Sequence, residues 1–343
     1  MNETLESELA RIFDAVVIET PQSFRFRGSV VQVVQSTAPQ TPVFLAPTNP
    51  LTGSLQLVLY QHCYCQRFTP AATETRRSEE SVEDLTSLLT QANSTVERWD
   101  AGWQIIQLLP SGQTVGRRNG MLRLIWPGEF LSQEGGQGIP QPGSYISIFC
   151  KKHSISLQPG FYFAFGETIA DQEEENNLIR LYWHIQRGGI LELLKSLTRA
   201  LNRFQVPFRF KCPARVDVYQ RSDAGVLYFA KRYYRSVSEL LTPVYDQVAK
   251  WLEAETPLFS KRLAPGLALA EDPGYGESFG MNRCRLVAEG IWSAYTQNRQ
   301  DPEGRLAEVI KQFDQHGGSL KWPYLNRGSV DVYDWPSPMI SLQ

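Results

Sequence analysis

The chain has 343 residues, with 34 Lys+Arg against 36 Asp+Glu, and 42% of it is hydrophobic. That is enough apolar material for one or two ordinary cores and excludes a disordered chain. With 25 Gly and 21 Pro, collagen-like and low-complexity classes are excluded as well.

No stretch reaches the roughly 18 apolar residues of a membrane span, so no membrane partner is expected. Met1-Asn2-Glu3-Thr4-Leu5-Glu6 is acidic where a signal peptide is basic and then apolar. The expectation is a soluble, cytoplasmic protein. Five cysteines, Cys63, Cys65, Cys150, Cys212 and Cys284, are scattered and odd in number, which reads as free thiols in a reducing compartment.

In chain order, Leu5, Leu9, Ile12, Phe13 and Val16 recur at helical spacing, and Ser23–Val34 alternates like a strand. A loop of Pro39, Pro42, Pro47 and Pro50 leads into an apolar segment, Leu55–Tyr64. Residues 69–80 read as a solvated linker and Ser81–Ala92 as a short amphipathic helix. The runs Trp103–Leu109 and Gly120–Trp126 read as strands separated by a Pro110-Ser111-Gly112 turn. Gly135–Gly143 is taken as the loop where a second region begins. The expected division is a mixed N-terminal region, 1–150, suited to docking a peptide or partner, and a second domain, 151–343.

That second region interleaves strand patterns (Tyr145–Cys150, Gly160–Gly166, Leu178–Ile185, Pro207–Cys212, Gly225–Phe229) with helical ones (Ile190–Phe204, Val237–Glu253, Phe279–Gln297, Pro302–Gln315). The expected fold class is α+β, a mixed sheet with flanking helices around a cationic groove.

The near-neutral total conceals an asymmetry. Between Asn176 and Arg235 there are twelve Lys/Arg and three Asp/Glu. Alternation puts Arg180 and His184 on one strand face, Arg209 and Lys211 on another, and Arg221 with Asp223 on a third. On three adjacent strands these would form one basic wall, and neighbouring cations repel unless an anion lies between them. An isoelectric point near 6.2 argues against nucleic acid as that anion. A phosphate ester suits a compact site better, with arginines as bidentate clamps and a crowded lysine lowered toward use as a base. Downstream, Lys261, Asn282 and Arg283 extend the basic set, with Ser278 at a helix N-cap position beside backbone amides.

Competing motifs fail on context. Gly276-Glu277-Ser278-Phe279-Gly280 matches a nucleophile elbow, with Asp301 and His316 following, but loop residues rather than a buried strand lead into Ser278. The same glycines make no dinucleotide fingerprint. His62-Cys63-Tyr64-Cys65 has no second ligand pair, so no metal is expected.

Residues from about 160 to 334 resemble the HopA-type effector family. The resemblance is carried by Phe161–Glu167, Arg180–His184, Pro207–Lys211, Tyr219–Phe229, Leu258–Pro273, Glu277–Cys284 and Pro323–Asn326. It implies an α+β fold with a cationic groove and a reaction without a cofactor. Relatives of this kind act in ribosomal peptide pathways, including those of class-V lanthipeptides and thioamitides, beside a kinase-like partner protein. They eliminate phosphate from phosphoserine or phosphothreonine in a phosphorylated precursor peptide, leaving a dehydroamino acid. The roles that follow are Lys211 as base, His184 as the group assisting the departing phosphate, and Asp223 as orienter. Arg180, Arg221, Lys261, Asn282 and Arg283 hold the phosphate, and Lys261 could exchange roles with Lys211. The alternative is a family member that binds a peptide or phosphopeptide without chemistry.

Overall fold

The computed structural model describes residues 4–33, 49–70, 83–132, 141–274 and 276–336. The loop at Pro39, Pro42 and Pro47, most of the 69–80 linker, the Ser81 start of the short helix and most of Gly135–Gly143 lie outside them.

Helix α1 (Leu5–Asp14) starts where the Thr4 hydroxyl accepts from the Ser7 amide and buries Leu9, Ile12 and Phe13. The alternating run after it is a meander. Strands β1 (Val16–Thr20), β2 (Ser23–Phe26) and β3 (Ser29–Gln32) pair antiparallel. The chain turns between β2 and β3 at Arg27 and Gly28, both with positive φ. Helix α2 (Pro50–Leu59) opens on an Asn49 capping box with Pro50 in its first turn, and continues as a π-helical turn, Tyr60–Tyr64. Helix α3 (Thr86–Ala92) follows.

A five-stranded sheet comes next: β4 (Arg98–Leu108), β5 (Thr114–Arg118), β6 (Met121–Ile125), β7 (Phe130–Ser132) and β8 (Tyr145–Cys150), in the order β6-β5-β4-β8-β7. It closes over a small core of its own, Trp103, Ile105, Ile125, Ile146 and Ile148. Asp100 accepts from Arg98, Arg118 and the Trp103 indole at its rim.

The rest of the chain builds β9 (His153–Ser154), β10 (Phe161–Phe165), β11 (Leu178–Trp183), α4 (Ile190–Arg203), β12 (Arg209–Pro213) and β13 (Gly225–Ala230). Then come α5 (Tyr234–Val248), β14 (Lys261–Ala264), β15 (Leu267–Glu271), α6 (Phe279–Thr296) and α7 (Pro302–Gln315). Their seven strands form one sheet, β14-β15-β11-β13-β12-β10-β9, antiparallel throughout. The fold is α+β.

Helix α4 buries Leu193, Leu194, Leu197 and Leu201, each worth about 1.5–3 kcal/mol of transfer free energy. Trp183 meets Tyr245 of α5 on one face of the sheet. On the other face, Tyr182 packs against Phe279 of α6 and Tyr64 of the π turn. The core around this sheet also takes in Leu9, Phe24, Leu55, Tyr64, Phe68 and Leu89, so N-terminal residues share one hydrophobic core with the sheet. The π turn and α6 approach closely because residue 280 is glycine; a Cβ there would lie 2.4 Å from the Tyr64 ring.

Two expectations about the wall need correction. Strand β13 separates β11 from β12, so the Arg180 and Lys211 strands are not neighbours. Arg221 and Asp223 precede β13 in a turn rather than alternating along it. Gly225 must begin that strand without a side chain, since a Cβ would press on Phe210 and Trp183 at 3.2 Å.

Candidate functional site

Residues paired across a sheet present their side chains on the same face. One row across the face covered by α6 and the π turn reads Ala270, Arg180, Tyr228, Arg209. The next reads Ala268, Tyr182, Val226, Lys211. Arg180 and Arg209 lie over the Tyr228 ring at 5.3 and 4.8 Å. Lys211 Nζ lies 3.9 Å from the Phe161 ring centre, and the Arg221 guanidinium 6.0 Å from the same centre. The turn before β13 thereby brings Arg221 to the Lys211 end of the face.

Three predicted cations thus gather, Arg180, Lys211 and Arg221, together with Asp223 and with Arg209. Arg180 and Arg221 already hold carboxylates. Arg180 Nε donates to Asp272 at 2.7 Å and its Nη2 to the Glu277 carbonyl at 3.0 Å. Arg221 makes a bidentate pair with Asp223 at 2.8 and 2.9 Å, and its Nη2 also donates to the Tyr60 hydroxyl at 2.9 Å. Burial opposes the charge on both arginines and is outweighed, by Tyr228, Tyr182 and Asp272 at Arg180 and by Asp223 at Arg221. The repulsion expected within the wall is therefore relieved in part by the protein's own carboxylates.

Lys211 differs. Among the described residues its ammonium has no hydrogen-bond or ion-pair partner, and its value is lowered from 10.5 to about 8. Burial is the largest cause; Arg221 and Arg180 push the same way and Asp223 opposes them. The expectation that neighbouring cations would be the main cause is revised accordingly. Arg209 likewise has only its contact with Tyr228. Beside Lys211 in its row, the Tyr182 hydroxyl is buried without a hydrogen bond of normal geometry, although the Tyr64 ring meets it edge-on.

The other predicted site residues stand elsewhere. Lys261 shares a row with Leu269, Leu181, Leu227 and Phe210, on the opposite face of the sheet. Its ammonium is held by both Asp331 oxygens at 2.8 Å. His184 follows β11, with Nδ1 3.0 Å from the Glu255 carbonyl oxygen. It lines a separate cavity of about 450 Å3 with Glu253, Gln220 and Tyr219. Arg283 donates to the carbonyl oxygens of Pro323 and Leu325 and to the Asn282 side chain. Burial holds it down to about 10. Asn282 donates in turn to Glu277 at 2.8 Å, so this second anion site is filled by protein groups.

Ser278 caps α6, its hydroxyl accepting from the Met281 amide at 3.2 Å. Asp301 caps α7, and His316 Nδ1 lies against the Gln312 carbonyl. These three serve separate helix ends. Cys63 and Cys65 are buried in and beside the π turn, and burial pushes the Cys65 thiol up to about 12.

The sequence reading missed Tyr60. The π-helical turn sets its ring against Tyr64 at 5.4 Å and its hydroxyl on Arg221. Burial, and then Asp223, keep that hydroxyl protonated. Inserted π turns occur often at functional positions, but nothing in the local Leu/Tyr/Cys pattern separates one from an ordinary helix.

A family model described as the HopA1 effector protein family matches residues 153–325. The chain belongs to this family. Arg180, Arg209, Lys211, Arg221, Asp223 and Asp272 lie inside the HopA1 match, whereas Tyr60 and Tyr64 lie outside it. Two solved structures are similar. The effector protein from Pseudomonas syringae pv. tomato strain DC3000 is 20% identical, with a TM-score of 0.40 over 50% of this chain and 66% of that one. The effector protein from Pseudomonas syringae pv. syringae strain 61 is 16% identical, with a TM-score of 0.37 over 49% and 63%. The chain therefore spans just under two thirds of each solved relative. No curated protein matches it. Among the described residues, no helix is long and apolar enough to cross a membrane.

Proposed function

We propose that this HopA1-family chain is a phosphothreonine or phosphoserine lyase. It acts without a cofactor on a ribosomally made peptide that a kinase-like partner has phosphorylated. One observation carries the reading: Lys211 is half-buried against the Phe161 ring near Arg221, has no hydrogen-bond or ion-pair partner among the described residues, and is lowered to about 8. A lysine near that value is partly neutral at physiological pH and can accept a proton.

The Lys211 Nζ lone pair takes the proton from Cα of the phosphorylated residue. The C–H electrons become the Cα=Cβ double bond, the Cβ–O bond breaks, and phosphate leaves with that electron pair. Arg221 and Arg209 bind the phosphate, and Arg180 adds charge from the neighbouring row, stabilising the oxyanion as it forms. Asp223 fixes the Arg221 fork. Tyr60, whose oxygen accepts from Arg221, keeps its own proton to offer to the leaving oxygen. This takes over the role first given to His184, which lines a different cavity.

The test is a phosphothreonine peptide incubated with wild type and Lys211→Ala, with loss of phosphoric acid followed by mass spectrometry. Wild type should turn over, and the variant should be slower by about 10²–10⁴-fold. Turnover unchanged in the variant removes Lys211 as base. A wild type that never eliminates, yet binds the peptide, would leave a phosphopeptide-binding protein.

A further inference from the structure

A cavity of about 320 Å3 lies between the five-stranded and seven-stranded sheets. It is lined by Arg209 and Tyr228, the pair that continues the Arg180 row. Its walls mix charged groups with apolar ones, Leu124, Leu157, Ile169 and Phe208 among the latter. Lys151 lines it too, exposed and over the Phe165 ring.

The charges in this cavity are unevenly satisfied. Glu175 pairs with Arg123 at 3.1 Å. Glu174 is buried and held by Arg232 and the Tyr233 hydroxyl. Glu129 accepts from the Trp126 amide. Among the described residues, Lys151 and Arg209 have neither a hydrogen bond nor an ion pair, only contact with an aromatic ring. Lys151 and Arg209 are therefore free to take a negative charge beside apolar surface.

We propose that this cavity seats the residues flanking the phosphorylated one, and selects an acidic side chain next to an apolar one. The inference rests on the lyase reading for the identity of the ligand. Arg209 is two residues from Lys211 along β12, roughly 7 Å. An extended peptide with its phosphorylated residue at Lys211 therefore reaches the cavity within about two residues. A volume near the lower end of small-ligand sites, about 300–1,000 Å3, suits a short run of side chains rather than a whole peptide. Arg209 would then serve both the phosphate and the neighbouring carboxylate.

The probes are two peptides that cannot eliminate, because a methylene replaces the ester oxygen of phosphothreonine. One carries Leu and Glu beside that residue, the other Leu and Lys. By fluorescence anisotropy, the Glu peptide should bind wild type about five- to tenfold more tightly. Lys151→Glu should abolish or invert that preference. Ile169→Trp, which fills the cavity, should weaken binding of the Glu peptide while the circular dichroism spectrum stays unchanged. Equal affinities in wild type, or a preference untouched by Lys151→Glu, would overturn the proposal. Mass loss from the corresponding phosphate esters tests the other reading separately. Elimination without charge preference sinks the cavity assignment alone, and charge-selective binding without elimination sinks only the lyase.

Discussion

Replacing Lys211 with Met deletes one charge while keeping an unbranched chain against Phe161, and the consequence can be followed without any substrate. The gap between the ordinary 10.5 and about 8 corresponds to a cost of about 3 kcal/mol for holding the ammonium in the folded chain. Below about 8, folded and unfolded chains both carry the proton and the cost is felt in full. Between about 8 and 10.5 the unfolded chain keeps a proton that the folded chain has lost, so wild-type stability rises with pH. Lys211→Met removes the cost at every pH. At neutral pH the variant should therefore be more stable, by up to about 3 kcal/mol. Its advantage should shrink by about 2 kcal/mol as the pH goes from about 7.5 to 9.5. Urea denaturation of both proteins at steps across that range measures the difference, in which other titrating groups cancel. A difference of constant size would refute the claim that Lys211 is held down by burial, and with it the base role.

Tyr60→Phe removes the hydroxyl that accepts from Arg221 at 2.9 Å. Turnover of a phosphothreonine peptide should fall about three- to tenfold, with stability changed by about 1 kcal/mol or less. Asp223→Ala leaves the partly buried Arg221 without its carboxylate and should cost about 2–3 kcal/mol in a denaturant titration. Gly280→Ala drives a Cβ to 2.4 Å from the Tyr64 ring and should cost about 1–3 kcal/mol, read as a lowered Tm. Ser278→Ala should cost about 1 kcal/mol through the lost cap of α6. Wild type should stay unlabelled by a fluorophosphonate, and labelling at Ser278 would revive the hydrolase reading.

The sequence by itself determined the local elements and the charge imbalance. Hydrophobic spacing of 3.6 marked α4, whose leucines face one way. Alternation placed Arg209 and Lys211 opposite Phe210 and Cys212, which are fully buried. Those are properties of adjacent residues, and short-range geometry suffices to read them. The excess of cations between Asn176 and Arg235 likewise needs only counting.

Which cations meet is a different matter, and only the tertiary structure decided it. Strand order inserts β13 between the Arg180 and Lys211 strands, and antiparallel register sends Lys261 to the opposite face. A one-residue change of register would reverse that assignment, and no local pattern fixes it. Asp272 and Asp223 claim two of the arginines, and backbone carbonyls claim Arg283. Tyr60 arrives from 161 residues away in sequence, on a turn whose widening no spacing rule marks. Side-chain charge is written residue by residue, but its neighbours are set by how distant strands and helices pack, and that packing leaves Lys211 and Arg209 without ion-pair partners among the described residues.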